Sequence, residues 1–394
     1  MKSEEYIKRG DAVIMPTYAR FPLVFDHGDG CVLTDVDGKD YLDFVGGIAV
    51  NCLGYNDPGL NAAIAEQCGK MMHISNLYWH VPMIETAELL TKLSGLDQAF
   101  FCNSGAEANE AAMKLARIYA KLNKAPEAFE IIAMDHSFHG RTYAAITATG
   151  QPKYQKNLDP LLPGIKHVAF NDFSALKKMV TPRTCAILLE PIQGEGGIYP
   201  ADEDYLKKVR ALCDEENIVL IFDEVQCGIG RSGRFFAYQN YGLKPDVVCF
   251  AKGVAGGVPM GGILANKKVA TAFTPGTHAS TFGANPLATA ASKYVLTRIG
   301  EPGFLDKVTE NGAYLKEKLE GLKAKHDGIV EIRGMGLMLG MEITGSVGEV
   351  VAKAMDQGLL ILGAGASTIR FVPPLVVEKA DIDKAVAILD NCLS

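Results

Sequence analysis

From residue 97 to residue 265, short unbroken apolar runs alternate with longer stretches in which apolar residues recur at intervals of three and four. The runs have the pattern of strands buried on both faces of a parallel sheet, and the longer stretches that of amphipathic helices. Their alternation is the order of βαβ units. It predicts strands over 98–102, 130–134, 185–189, 219–222, 247–251 and 262–265, with helices over 106–122 and 203–216. Ahead of this block, residues 32–41 predict a hairpin turned at Asp37-Gly38, a pair suited to positive φ. Behind it, helical patterns over 305–325, 348–357 and 380–389 are interleaved with strand-like 337–342 and 369–372. The implied fold class is α/β: a large domain over 61–287, its central sheet mostly parallel and flanked by helices, and a smaller α+β domain from residues 1–60 and 288–394.

Bulk properties narrow the partners. A chain of 394 residues exceeds the usual limit of one hydrophobic core, so a cleft between two domains is expected. The net charge of −7, with no basic cluster, argues against nucleic acid or an anionic membrane and favours a small polar substrate. Nine scattered cysteines, without C-x-x-C or any Cys/His ligand spacing, read as reduced core residues of a cytoplasmic protein. No metal-ligand spacing exists among the eight histidines. The first residues, MKSEEYIKRGD, carry acids where a signal peptide needs an apolar core, and no run reaches the length of a membrane span.

The chemistry concentrates at strand ends, where open α/β sheets bind ligands. Asp223 closes one apolar run and Lys252 follows the next. A buried aspartate can keep a pyridine nitrogen protonated, and a lysine kept neutral by burial can form a Schiff base. At about 4 Å and an effective dielectric near 20, the acid–pyridinium pair is worth roughly 4 kcal/mol. Together they are a kit for pyridoxal 5′-phosphate. Asn103-Ser104-Gly105-Ala106-Glu107 follows a strand and opens a helix, with Ser104 and Glu107 spaced as a capping box, so the first helical amides can hold a phosphate. Ser280-Thr281-Phe282-Gly283 is a second candidate for that anion. Within Asp223-Glu224-Val225-Gln226, Gln226 is placed to donate to the cofactor's ring oxygen, while the Glu224 side chain is expected to turn into the structure.

These motifs resemble the class III pyridoxal-phosphate-dependent aminotransferases. The segment IFDEVQCGIGRSGRFFAYQNYGLKPDVVCFAKGVAGG matches throughout, and NSGAEANEAAMKLAR, SFHGRT, LEPIQGEGG, HASTFGANP and RFVPPL stand in family order over nearly the whole chain. The resemblance implies fold type I and a homodimer. It implies that Lys252 binds the cofactor covalently and shuttles the proton, that Asp223 pairs with the ring nitrogen, and that Phe138 stacks on the ring. Ser104, Gly105 and Ala106 would hold the phosphate with Thr281 of the other subunit, and Glu224, Val225 and Gln226 would complete the cofactor site. Arg141 and Ser280 would meet the remote carboxylate of the substrate. Glu195 would cover Arg370 for one substrate and release it for the other.

Within the class the likeness is strongest to the branch that transfers the δ-amino group of N2-acetylornithine to 2-oxoglutarate, a step of arginine biosynthesis. Tyr18 matches a tyrosine that meets the free α-amino group in ornithine-specific members, whereas Ile48 replaces their second tyrosine, which disfavours free ornithine. Enzymes acting on succinylornithine, succinyl-diaminopimelate, ornithine or 4-aminobutyrate are the nearest alternatives. An aminomutase or racemase on the same scaffold is more remote, since it needs no arginine switch. The segment Leu53-Gly54-Tyr55-Asn56-Asp57-Pro58 departs from the family's Gly-His-x-His-Pro.

Overall fold

A computed structural model describes residues 2–393. Its core is a seven-stranded sheet in the order Gln98–Cys102, Gly261–Ala265, Val247–Phe250, Val219–Asp223, Thr184–Leu189, Glu130–Met134, Ile165–Val168. Gly261–Ala265 runs antiparallel to both its neighbours, and the remaining paired strands are parallel. Every residue of the Thr184–Leu189, Val219–Asp223 and Val247–Phe250 strands is buried, which is why these segments read as unbroken apolar runs. Helices Gly105–Asn123 and Glu203–Glu216 lie where the three-and-four periodicity puts them.

The departures from expectation have physical causes. Ile165–Val168 was not anticipated: it is an edge strand with three half-buried residues, and Lys166 and His167 break the apolar run. The strand expected over 247–251 stops at Phe250, because Ala251 leaves the ladder at φ −166°, ψ −143° and Lys252 turns to φ 47°. Helices Pro58–Cys68, Val81–Ser94 and Pro286–Ile299 also went unread. They begin alike, with a side-chain cap from Asp57, His80 or Asn285 and a proline in the first turn, a start signal that the weak amphipathicity behind it obscures. The Asp57 cap accounts for the departing Leu53–Pro58 segment, in which Tyr55 also donates to Asp43 at 2.7 Å. Of the cysteines expected in the core, Cys68 is exposed.

The two ends of the chain meet in space. Phe25–Asp29, Val32–Asp35 and Asp40–Asp43 form an antiparallel sheet that Leu359–Leu360 extends by parallel pairing with Asp40–Asp43. A second antiparallel sheet, Ile329–Met335, Met338–Ile343, Thr368–Phe371 and Leu362–Ala364, carries Arg370.

Candidate active site

The parallel strands end together, and their ends supply the site. Ser104 follows Gln98–Cys102, Phe138 follows Glu130–Met134, Glu190 follows Thr184–Leu189, Asp223 closes Val219–Asp223 and Lys252 follows Val247–Phe250. All of them line one cavity of about 430 Å3, along with Gly105, Ala106, Arg141, Glu195, Val225 and Gln226. Lys252 and Asp223 therefore face the same space.

Asp223 is 3% exposed and accepts three hydrogen bonds. Its Oδ2 accepts from Asn109 Nδ2 at 2.7 Å and from His139 Nδ1 at 2.8 Å, and its Oδ1 accepts from the Val225 amide at 3.0 Å. Such charge-assisted bonds fix the carboxylate's direction. Lys252 has no hydrogen-bond or ion-pair partner among the described residues. Burial pushes its amine below the ordinary value and Arg370 adds to the effect, against the nearby charges of Glu195, Asp223 and Glu190. Its φ of 47° is rare for a side-chain-bearing residue and carries local strain.

The anion cradle is the start of the Gly105–Asn123 helix. Ser104 Oγ accepts from the Glu107 amide at 3.2 Å, and Glu107 Oε2 accepts from the Asn103 amide at 2.8 Å, one residue earlier than an ideal capping box. This leaves the amides of Gly105 and Ala106 to the cavity. Both approaches are close: a Cβ on Gly105 would lie 2.6 Å from Val225, and one on Gly140, at φ 131°, would lie 2.7 Å from Ala106.

Across the cavity stands an ion pair. Arg370, 1% exposed, donates through Nη1 to Glu195 Oε1 and to Gln226 Oε1, the latter at 3.0 Å; Gln226 Nε2 donates back to Glu195 at 3.1 Å. Burial pushes the Glu195 carboxyl up, but the charge and hydrogen bond of Arg370 pull it further down, below its ordinary value. The Nε and Nη2 atoms of Arg370 are buried without a partner among the described residues. That edge of a guanidinium is shaped to grip a carboxylate with two bonds.

The chain as a whole has counterparts among known proteins. The family model of aminotransferase class-III matches residues 13–393. The chain belongs to the class III aminotransferases. It is 48% identical to the acetylornithine aminotransferase of Clostridium acetobutylicum over 96% of this chain and 98% of that one, and 48% identical to that of Methanocaldococcus jannaschii over 99% and 98%. Among solved structures, the ornithine aminotransferase of Toxoplasma gondii superposes with a TM-score of 0.96 at 30% identity, covering 99% of this chain and 94% of that one. The acetylornithine aminotransferase of Elizabethkingia anophelis gives 0.88 at 31%, covering 99% and 98%.

Class III aminotransferases use pyridoxal 5′-phosphate, and the residues present fit it. A buried, oriented carboxylate, an unpaired amine with a lowered pKa, a helix start with two free amides and the half-buried ring of Phe138 supply what nitrogen, aldehyde, phosphate and ring face each require. When bound, the cofactor supplies an electron sink for the substrate's reacting carbon.

Several sequence-identified residues stand elsewhere in the single chain. The Glu224 side chain turns away, as anticipated, and accepts from the amides of Ala237 and Tyr238; burial pushes its carboxyl up to about 8. Gln226 is spent on Glu195 and Arg370 rather than left free for a ring oxygen. Ser280 Oγ accepts from Asn103 Nδ2 at 3.2 Å, and Thr281 lines a surface groove with Leu77 and Trp79. Tyr18 and Ile48 are exposed outside the cavity. Sequence reasoning missed Asn109 and Glu190. Asn109 lies within the helix and gave no signal. Glu190 accepts from the amides of Phe138 and Gly194, each at 3.1 Å, and so ties the Phe138 loop to the Glu195 loop. Its carboxyl is raised well above the ordinary range by burial and by Asp223.

Proposed function

We propose that the protein transfers the δ-amino group of N2-acetylornithine to 2-oxoglutarate in two half-reactions, as a step of arginine biosynthesis in the cytoplasm. One observation carries this reading: the amine of Lys252 shares its cavity with Glu195, whose carboxylate covers the charge of the buried Arg370 behind it. The acetylated donor presents only an amine at its reacting end, whereas glutamate presents a carboxylate beside the reacting carbon. Exposing a bare buried arginine costs about 3–5 kcal/mol. Glu195 removes that cost while the amine donor is bound, and a substrate carboxylate replaces it in the other half-reaction. Arg141 is exposed and stacks on Tyr154 at 4.1 Å from the ring centroid, with no carboxylate partner among the described residues. We assign it the carboxylate at the far end of either substrate.

With the cofactor bound, Lys252 would hold it and, as a free amine, would carry the proton, while Asp223 would keep the ring nitrogen charged. A donor panel on the purified holoenzyme, read by cofactor absorbance, tests the assignment. N2-acetylornithine is expected to react faster than free ornithine, succinylornithine or 4-aminobutyrate; the reverse order for ornithine would overturn the donor while leaving the reaction class.

We assign residues 61–287 to the large domain and both chain ends to the small one, and we take the active form to be a homodimer. Leu77, Trp79 and Thr281 share one surface groove, next to exposed Tyr78, Val81 and Phe282. An exposed apolar patch of this kind favours a protein partner. A second copy seated there would carry Thr281 towards the phosphate site of its neighbour.

A further inference from the structure

A buried guanidinium of the second antiparallel sheet holds the Glu195 loop. Arg333, 6% exposed, donates through Nε to Gly197 O at 2.9 Å, through Nη2 to Thr368 Oγ1 at 2.7 Å, and through Nη1 to Glu331 at 2.8 Å and Glu342 at 2.5 Å. Its guanidinium carbon also lies 3.9 Å from the centroid of the Tyr199 ring. Gly197 and Tyr199 follow Glu195 in the loop, and Thr368 precedes Arg370 by two residues on the same strand, so both lie on one face of it. One side chain thus grips the backbone that carries Glu195 and the strand that carries Arg370.

The rest of the loop has no room to move. Glu195 O accepts from the Gly365 amide at 3.0 Å. A Cβ on Gly196 would lie 2.7 Å from His136 O, one on Gly197 would lie 2.8 Å from Tyr199, and one on Gly365 would lie 2.9 Å from Gly196 O. Backbone packed this closely on both sides resists translation, so the Glu195 side chain, held only by Arg370 and Gln226 among the described residues, is the part with torsions left to turn.

We propose that Arg333 is a positioning residue for substrate choice: it registers the Glu195 backbone against Arg370, so that the exchange between the two substrates is confined to side-chain rotation of Glu195. The proposal rests on the switch reading above and adds to it the group that sets the switch. Loosening Arg333 weakens the cover on Arg370 and favours the substrate that brings its own carboxylate.

The experiment compares apparent affinities for glutamate and N2-acetylornithine in single-turnover half-reactions of the holoenzyme. Arg333→Met is expected to shift their ratio towards glutamate by about tenfold, in line with losing a hydrogen bond to a charged group, and the nearly isosteric Thr368→Val to shift it the same way by less, since only one of the contacts is removed. In a Glu195→Ala background both shifts should vanish, because nothing remains to be positioned. Should Arg333→Met not fold, Thr368→Val alone and in that background decides. If Glu195→Ala shifts the ratio but neither variant does, or if both variants depress the two half-reactions equally in either background, Arg333 is structural and the inference is wrong. A ratio that Glu195→Ala leaves unchanged overturns the switch reading itself.

Discussion

Asp223 shows how much of a side chain's chemistry is set by its neighbours. Two side-chain donors and one amide aim its carboxylate, so in the role proposed for it its removal would cost the electron sink while the helix start at Gly105 and Lys252 remain. Asp223→Ala is expected to retain some cofactor by absorbance but to lose nearly all turnover. Asn109→Ala removes one donor and should lower turnover by about tenfold, consistent with 1.5–3 kcal/mol for a hydrogen bond to a charged group. The pH behaviour of the switch follows from Glu195. Its carboxyl lies below the ordinary value, so the pairing energy is fully present above the ordinary carboxylate range and is lost as pH falls through the lowered value. The glutamate-to-acetylornithine ratio should therefore be insensitive to pH around neutrality, where Glu195 stays ionised and paired. Glu195→Gln, which cannot ionise, should give the acid-side ratio at neutral pH by about tenfold in favour of glutamate, measured on the same half-reactions.

At the scale of elements, the phosphate site depends on how closely a loop approaches a helix start. Gly140 adopts φ 131°, where a side chain is strained, and a Cβ there would press on Ala106. Gly140→Ala should displace the first helical turn and weaken cofactor binding by about tenfold or more, as expected for a cost above about 1.4 kcal/mol. Equilibrium dialysis against pyridoxal phosphate measures this directly. Unaltered affinity would show that the turn absorbs the methyl group.

For the whole molecule, the apolar groove at Leu77, Trp79 and Thr281 sets the expectation. Trp79 is 83% exposed in the single chain, and an aromatic side chain of that size is a typical anchor of an interface. If the proposed homodimer forms through this groove, Trp79→Glu should dissociate it in sedimentation experiments, and turnover should fall in step with the dimer fraction because the partner's hydroxyl would leave the phosphate. A fully active monomer would overturn that arrangement.

The sequence by itself determined whatever is written locally. Runs such as Val219–Asp223 and Val247–Phe250 are continuous because both faces are covered. Asp223 and Lys252 could be singled out because strand ends face the crevice, and the Ser104 cap because its partner stands three residues on. The tertiary structure decided what depends on residues far apart in the chain. Asn109 reaches Asp223 across 114 positions and Arg333 reaches Gly197 across 136, so no local period or spacing encodes either contact. The same holds for the pairing of Leu359–Leu360 with Asp40–Asp43 and for the burial of Arg370, which as an isolated arginine reads as a surface charge. Charge placement in this site is a property of packing, because desolvation and partner choice exist only once distant elements have come together.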